Sequence, residues 1–352
     1  MKRQRLAVIF AAVLQIAIQI IGAADVMGAD DALQPLITTA ELTVGQNRFA
    51  FGLAKQGKLI ERADVLVRVF DLQGTEAHLT AETNAPFRPV ANPVAEKQVH
   101  RHADGSLHVH DAATEVRGVY VAHLTFTRSG KWGVELVARQ PDGSSETARL
   151  TVVVRETPTT PAVGSPAPRS RNLIASDVKD LRQISTSERP DPRLHQTRID
   201  DAIAMGKPQL IVFATPQFCT SRMCGPVVEI VRTLLPTYGK RMVFTHQEIW
   251  QDFATKKVFS TIEEWRLESE PWIFIVDGQG MIRARFEGLV TARELETALQ
   301  NVLLPDTVRA DKDLIDACVA YSFGPAQRRE GRPEVKRQSC SACGHADHRK
   351  NN

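Results

Sequence analysis

Residues 156–171, ETPTTPAVGSPAPRSR, interrupt the chain with four prolines set among Thr, Ser and Gly, and they carry no apolar periodicity. Proline fixes φ and withdraws a backbone donor, so such a stretch enters neither a helix interior nor a central strand and reads as a stiff, extended linker. The chain must therefore build its cores on either side of it. At 352 residues each side is long enough to bury a core of its own. This predicts two domains, residues 30–155 and 172–304. Hydrophobic residues at 43% and charged residues at 24% are ordinary for globular proteins and exclude wholesale disorder. A formal charge of +3, with three Tyr and four Trp, leaves no electrostatic footprint or stacking platform for nucleic acid, and none for a membrane surface.

Upstream of the linker, residues 38–155 read as strands and turns. Val65, Val67 and Val69 alternate, residues 119–126 (VYVAHLTF) form a second run and residues 132–137 a third. Residues 150–154 (LTVVV) close the segment after the turn at Pro141, Asp142 and Gly143. Strands at this spacing, with no helical pattern between them, predict an all-β, immunoglobulin-like sandwich.

Downstream the rhythm changes. Residues 210–214 (LIVFA) make a short continuous apolar run, as buried parallel strands do. A helical pattern follows from Gly225 to about Leu235, with Val227, Ile230, Val231 and Leu234 on one face. Residues 242–245, 272–276 and 281–286 are the next strands, and Thr291 caps a last helix over 293–303. The alternation predicts an α/β domain with a mixed sheet. Residues 305–352 lose this rhythm and are expected to be a largely disordered tail, with one short helix near 312–321.

Cys219 and Cys224 fall where the first buried strand meets this helix. Unpaired N–H groups at a helix start favour a thiolate, the attacking form of cysteine. Five residues within one helix would leave the side chains about 140° apart and the Cα atoms about 7.5 Å apart, too far for a disulfide. Cys219 must therefore lie in the loop and fold back towards Cys224.

The segment PQLIVFATPQFCTSRMCGPVVEIV, followed by SEPWIFIVDGQG at 269–280, resembles the thioredoxin-like superfamily over about residues 172–304. The resemblance implies an α/β thioredoxin-like fold, with Cys219 as attacking thiol and Cys224 as resolving thiol. Pro271 matches the family's cis-proline opposite the cysteines. The spacing departs from that family, since four residues separate the cysteines instead of two, and the Gly-Pro pair follows Cys224. The Sco-type copper chaperones, thioredoxin-fold proteins with C-x-x-x-C and a distant histidine, supply a metal-binding precedent. Their spacing does not match either. His246 is the best-placed histidine in the domain, yet its position differs from that family's ligand, and His195 lies upstream of the first strand. In the first domain, GVYVAHLTFTRSGKWG at 118–133 resembles the YtkA-like and FixH-like periplasmic β-sandwich domains through its G-x-Y and G-x-W strands. That implies no enzymatic activity.

Two further clusters bear metal-ligating side chains. Residues 99–110, VHRHADGSLHVH, read as a hairpin. A two-residue turn sends its histidine pairs to opposite sides. A three-residue turn ending at Gly105 sets His100 opposite His108 and gathers Val99, Leu107 and Val109 on the other face, as register normally requires. His100, His102, His108 and His110 then share one side and offer imidazoles for copper or zinc, or a solvated polar face. In the tail, Cys340, Cys343, His345 and His348 offer thiols and imidazoles for zinc or Cu(I), or a local disulfide. Cys318 is the odd cysteine, buried and inert by default.

Lys2, Arg3 and Arg5 ahead of an apolar stretch at 6–22, then Gly22, Ala23 and Ala24, read as a signal peptide spanning residues 1–29. A periplasmic or extracellular protein is expected, touching membrane only through this segment if uncleaved. The leading expectation is a thiol or disulfide handler acting on protein thiols or disulfides, with no cofactor required. A copper-binding or chaperone protein, or a scaffold stapled by a structural disulfide, are the alternatives.

Overall fold

The computed structural model describes residues 32–90, 99–101, 107–109, 117–219 and 221–304. The expected signal segment, His102, His110, Cys318, Cys340, Cys343, His345 and His348 lie outside the described residues.

The first half is a β-sandwich of strands β1 (Gln34–Ile37), β2 (Leu42–Thr43), β3 (Gly45–Lys55), β4 (Lys58–Leu59), β5 (Asp64–Asp71), β6 (His78–Asn84), β7 (Phe87–Pro89), β8 (Val99–Arg101), β9 (Leu107–Val109), β10 (Gly118–Phe126), β11 (Gly130–Arg139) and β12 (Ser145–Arg155). One sheet runs β1-β3-β10-β7 with β4 beside β3, and the other runs β2-β12-β11-β5-β6. Val65, Val67 and Val69 point inward against Phe49, Phe51, Leu53 and Trp132, all buried, and each such side chain contributes about 1.5–3 kcal/mol. The G-x-Y and G-x-W strands have a physical reason. Tyr120 is buried and its hydroxyl accepts from Ala63 N at 3.1 Å, while Trp132 Nε1 donates to Arg128 O at 3.1 Å. A Cβ on Gly118 would come within 2.7 Å of Arg88 O. Strands β8 and β9 pair Val99 with Val109 and His100 with His108, the register of the three-residue turn.

The second half contains α1 (Ile199–Ala204), β13 (Gln209–Phe213), α2 (Cys224–Tyr238), β14 (Val243–Gln247), β15 (Trp250–Asp252), β16 (Lys257–Val258), α3 (Ser260–Glu264), β17 (Trp272–Val276), β18 (Ile282–Glu287) and α4 (Ala292–Val302). Its sheet runs β14-β13-β17-β18, with β13 parallel to β14 and the other pairs antiparallel. Strands β13 and β17 are buried at every position, which is why they read as continuous apolar runs. Helix α2 continues through Pro236, beyond its expected end near Leu235. A proline this near the terminus removes one ladder bond without stopping the last turn.

The linker departs from expectation. It is irregular, with a turn in which Ser165 N donates to Ala162 O at 3.1 Å, and it is bonded to the second half. Gly164 N donates to Ile282 O (2.8 Å), Ile282 N to Ser165 O (3.0 Å) and Ala167 N to Gly280 O (2.8 Å). The two halves also share a core. Ala50, Val90, Val119 and Val121, on the outer face of the β1-β3-β10-β7 sheet, belong to one buried cluster with Cys219, Met223, Cys224, Leu289 and Val290. Residues 118–122 of β10 are therefore buried on both faces, while His123, Leu124, Thr125 and Phe126 alternate exposed and buried. Buried polar groups fix this contact. Glu287 Oε2 accepts from Ala40 N and Glu41 N, both at 2.9 Å, and Glu294 receives Arg48 at 2.8 Å and Arg88 at 3.3 Å.

Candidate functional site

Cys219 ends the loop after β13, and Cys224 is the first residue of α2. Between them Arg222 adopts left-handed φ of 58°, and its N–H donates to Cys219 O at 3.1 Å. This turn folds the loop back on the helix, as the spacing requires. Both cysteines are free thiols and both are buried, Cys219 with 9% exposure and Cys224 with none. A cis peptide joins Glu270 to Pro271 at the entry to β17.

Glu270 is the residue that sequence reasoning missed. Its Oε2 lies 3.5 Å from Cys224 Sγ, which donates to it, and also accepts from Thr215 N at 2.8 Å. One ligand atom each of Cys219, Cys224 and Glu270 lie within 4.8 Å of one another. The available signal was local: an acidic residue between Ser269 and Pro271, directly ahead of the fully apolar run 272–276, has to leave water or find donors.

The electrostatics divide the two thiols. The neighbouring Cys224 thiol, whose single proton is shared between Cys219 and Glu270, then Ser221 and the Cys224 backbone, bring Cys219 down to about 6 against the opposing effect of burial. Ser221 Oγ sits 3.0 Å from Cys219 Sγ. Burial first, then its hydrogen bond to Cys219 and the charge of Glu270, pushes the Cys224 thiol far up. Burial, reinforced by the charge of Cys219, raises Glu270 to about 7. The site thus presents one thiolate, one held proton and one carboxyl poised near neutrality, and the three titrate as a coupled set.

The histidines are elsewhere. His246 lies within β14, not after it, and its Nε2 is 3.0 Å from Ala214 O. Its ring meets that of His195 edge-on at 5.3 Å. Burial lowers the pKa of both, that of His195 to about 3, so both are neutral core groups at pH 7. Neither joins the Cys219, Cys224 and Glu270 ligand atoms. The backbone of His100 and His108 is paired on β8 and β9.

No known family's sequence profile and no curated protein matches this chain. Among solved structures it is similar to the soluble domain of PmoD from Methylocystis sp. ATCC 49242 (Rockwell), at 16% identity and TM-score 0.20, covering 36% of this chain and 94% of that one. Murine CRIg is 14% identical with TM-score 0.20, covering 35% and 98%. A superoxide reductase (neelaredoxin) from Archaeoglobus fulgidus is 14% identical with TM-score 0.20, covering 38% and 95%. Likeness at this level carries no argument about activity.

Proposed function

We propose that the second half is a thioredoxin-like domain and that the protein exchanges thiols and disulfides in the periplasm or outside the cell. The observation that carries this reading is the division of labour between Cys219, Cys224 and Glu270. A thiolate with a pKa of about 6 is mostly ionised at neutral pH and attacks a disulfide RS–SR′. The S–S bond breaks, Cys219–S–S–R forms and R′S⁻ leaves to take a proton from water. The negative charge on Cys219 is then gone. That charge had helped to raise Glu270, so Glu270 ionises more readily once the mixed disulfide exists. Its carboxylate accepts the Cys224 proton across the 3.5 Å contact. The Cys224 thiolate attacks Cys219 Sγ, closing the protein disulfide and releasing RS⁻, which takes the proton from Glu270. One substrate disulfide becomes two thiols, the protein dithiol becomes a disulfide, and an external dithiol resets it. The same steps run backwards oxidise a substrate dithiol.

Insulin reduction by the full chain with dithiothreitol as reductant tests this. Turnover that Cys219→Ser abolishes is expected. Wild-type turnover no faster than dithiothreitol alone overturns the reading.

A second reading is favoured by the 4.8 Å grouping. Two thiolates and a carboxylate are a donor set for Zn(II), while Glu270 makes the site harder than Cu(I) prefers. Binding would require Cys224 to lose its proton, which burial opposes. Competition between reduced protein and a chromogenic zinc chelator separates the two readings: protection of both thiols by zinc favours the metal.

A further inference from the structure

The sandwich is not a passive neighbour of the cysteines, because its outer sheet walls a groove that reaches Ser221 and Met223, which lie between the two cysteines in sequence. This groove has a volume of about 460 Å³, within the range of about 300–1,000 Å³ that ligand sites occupy. Leu36, Ile37, Ile60 and Phe87 of the sandwich form one wall, and Ser221, Met223 and Leu289 form the other. Ser221 is the residue hydrogen-bonded to Cys219 Sγ, and Met223 immediately precedes Cys224. An occupant of the groove touches the residue that is hydrogen-bonded to the attacking thiol.

Two observations select the occupant. The polar side chains lining the groove include Glu61 and Arg117, one of each sign, so nothing favours a small anionic thiol over a neutral chain. Strand β1 also stands at the end of its sheet. Thr38 N donates to Ala50 O and Leu36 stands opposite Gly52, so by the alternation of an antiparallel ladder the carbonyl of Pro35 and both backbone groups of Ile37 turn away from β3. An edge of this kind accepts an added strand, with apolar pockets reading alternate side chains. Leu36 and Ile37 are 46% and 38% exposed, apolar surface that an added strand would cover.

We infer that this groove binds an extended polypeptide segment with apolar residues flanking its cysteine, and that the sandwich thereby selects unfolded or locally open protein chains as the substrate class. The inference rests on the thiol–disulfide reading and deepens it. Cys219 shares the buried core with Val119 and Val121 and is only 9% exposed, which favours an occupant as narrow as a single strand over a folded surface.

The test compares two disulfides with the full reduced chain: a peptide disulfide flanked by Leu and Val, and glutathione disulfide. The peptide is expected to show a kcat/KM at least about tenfold higher. Leu36→Glu, at an exposed position that tolerates the charge, should raise KM for the peptide about tenfold or more by placing a carboxylate in an apolar contact. The glutathione rate should change several-fold less. Equal effects of Leu36→Glu on both disulfides, or none on either, overturn the inference. If neither disulfide is reduced, the thiol–disulfide reading fails by itself. The groove is then judged by fluorescence anisotropy of the same peptide with Ser in place of Cys. Binding that Leu36→Glu weakens about tenfold upholds the groove; no binding, or an unchanged Kd, refutes it.

Discussion

Replacing Glu270 by Gln removes the carboxyl that touches the Cys224 thiol while keeping an acceptor for Thr215 N, and its consequences follow from the site's geometry. Burial and the Cys219 charge hold Glu270 at about 7 against an ordinary value of 4.5. At about 1.4 kcal/mol for each tenfold in proton affinity, ionising this group in the folded chain costs about 3 kcal/mol more than in the unfolded chain. The folded pKa is the raised one, so stability from the protonated carboxyl is fully present below about 4.5 and is lost as pH rises through about 7. The Gln variant has no such loss. Urea unfolding of both reduced proteins should therefore show a difference in favour of Glu270→Gln that is absent near pH 4.5 and grows to about 3 kcal/mol by about pH 8. Cys219→Ser should shrink this difference without abolishing it, because burial is the larger cause. Glu270→Gln should slow release from a preformed Cys219 mixed disulfide by about 100-fold or more, the usual worth of a positioned general base. A stability difference that does not change with pH, together with an unaltered release rate, would refute the reasoning.

Alkylation of Cys219 should follow a midpoint near 6. Cys224→Ala should move it up towards the ordinary thiol value of about 8.5 by removing the first of its hydrogen-bond donors; an unmoved midpoint in rate-versus-pH measurements would show that the thiolate is held by something else. Gly288 sits at φ +71° where a Cβ would come within 2.3 Å of Thr38 O, so Gly288→Ala should destabilise the chain by at least about 2 kcal/mol in denaturant titration. Thr291 and Glu294 form a reciprocal cap on α4, with Thr291 Oγ1 accepting from Glu294 N at 3.3 Å and Glu294 Oε2 from Thr291 N at 3.0 Å. Thr291→Ala should cost about 1 kcal/mol in the same assay.

What the sequence shows of this protein follows the range over which each signal acts. Alternation in β5 and continuous burial in β13 and β17 are local properties of backbone periodicity, and all three were legible. The Thr291 cap was legible for the same reason. Strand β3 was not among the expected strands. Phe49, Phe51 and Leu53 alternate there, but Ala50, Gly52 and Ala54 between them are small and apolar, blurring the pattern. They are small because this face is also covered: Ala50 lies in the shared core and a Cβ on Gly52 would sit 3.5 Å from Leu36 Cβ. Strand β6 has the opposite difficulty, since HLTAETN is almost wholly exposed and carries no apolar stripe. Helix α1, Ile199–Ala204, is too short for periodicity to register. At the site the cysteines announced themselves, whereas Glu270 acquires its role only from Thr215 and Cys224, which are 55 and 46 residues away.

The linker shows how the same residues serve a different end once tertiary contacts are counted. Prolines keep residues 156–171 out of helix and regular strand, and here the backbone they leave free supplies hydrogen bonds to β18 and its preceding turn. Thr160 also receives a role at the junction of the two halves. Its N–H and hydroxyl reach Glu41, which Arg285 Nη1 meets at 2.7 Å, and hydrogen bonds and that charge hold Glu41 below the ordinary carboxylate range despite burial. A carboxylate largely removed from water is tolerable only when its oxygens are this fully satisfied. Separating the halves would leave Glu41, Glu287 and Glu294 without these partners and would expose the Val119 and Val121 face. Segment 172–304 cut from the sandwich is therefore not a smaller version of the same site. It lacks one wall of the groove and the contacts that hold β18, and with it β17 and Glu270, in place. Measurements on the cysteines consequently belong on the chain that carries both halves.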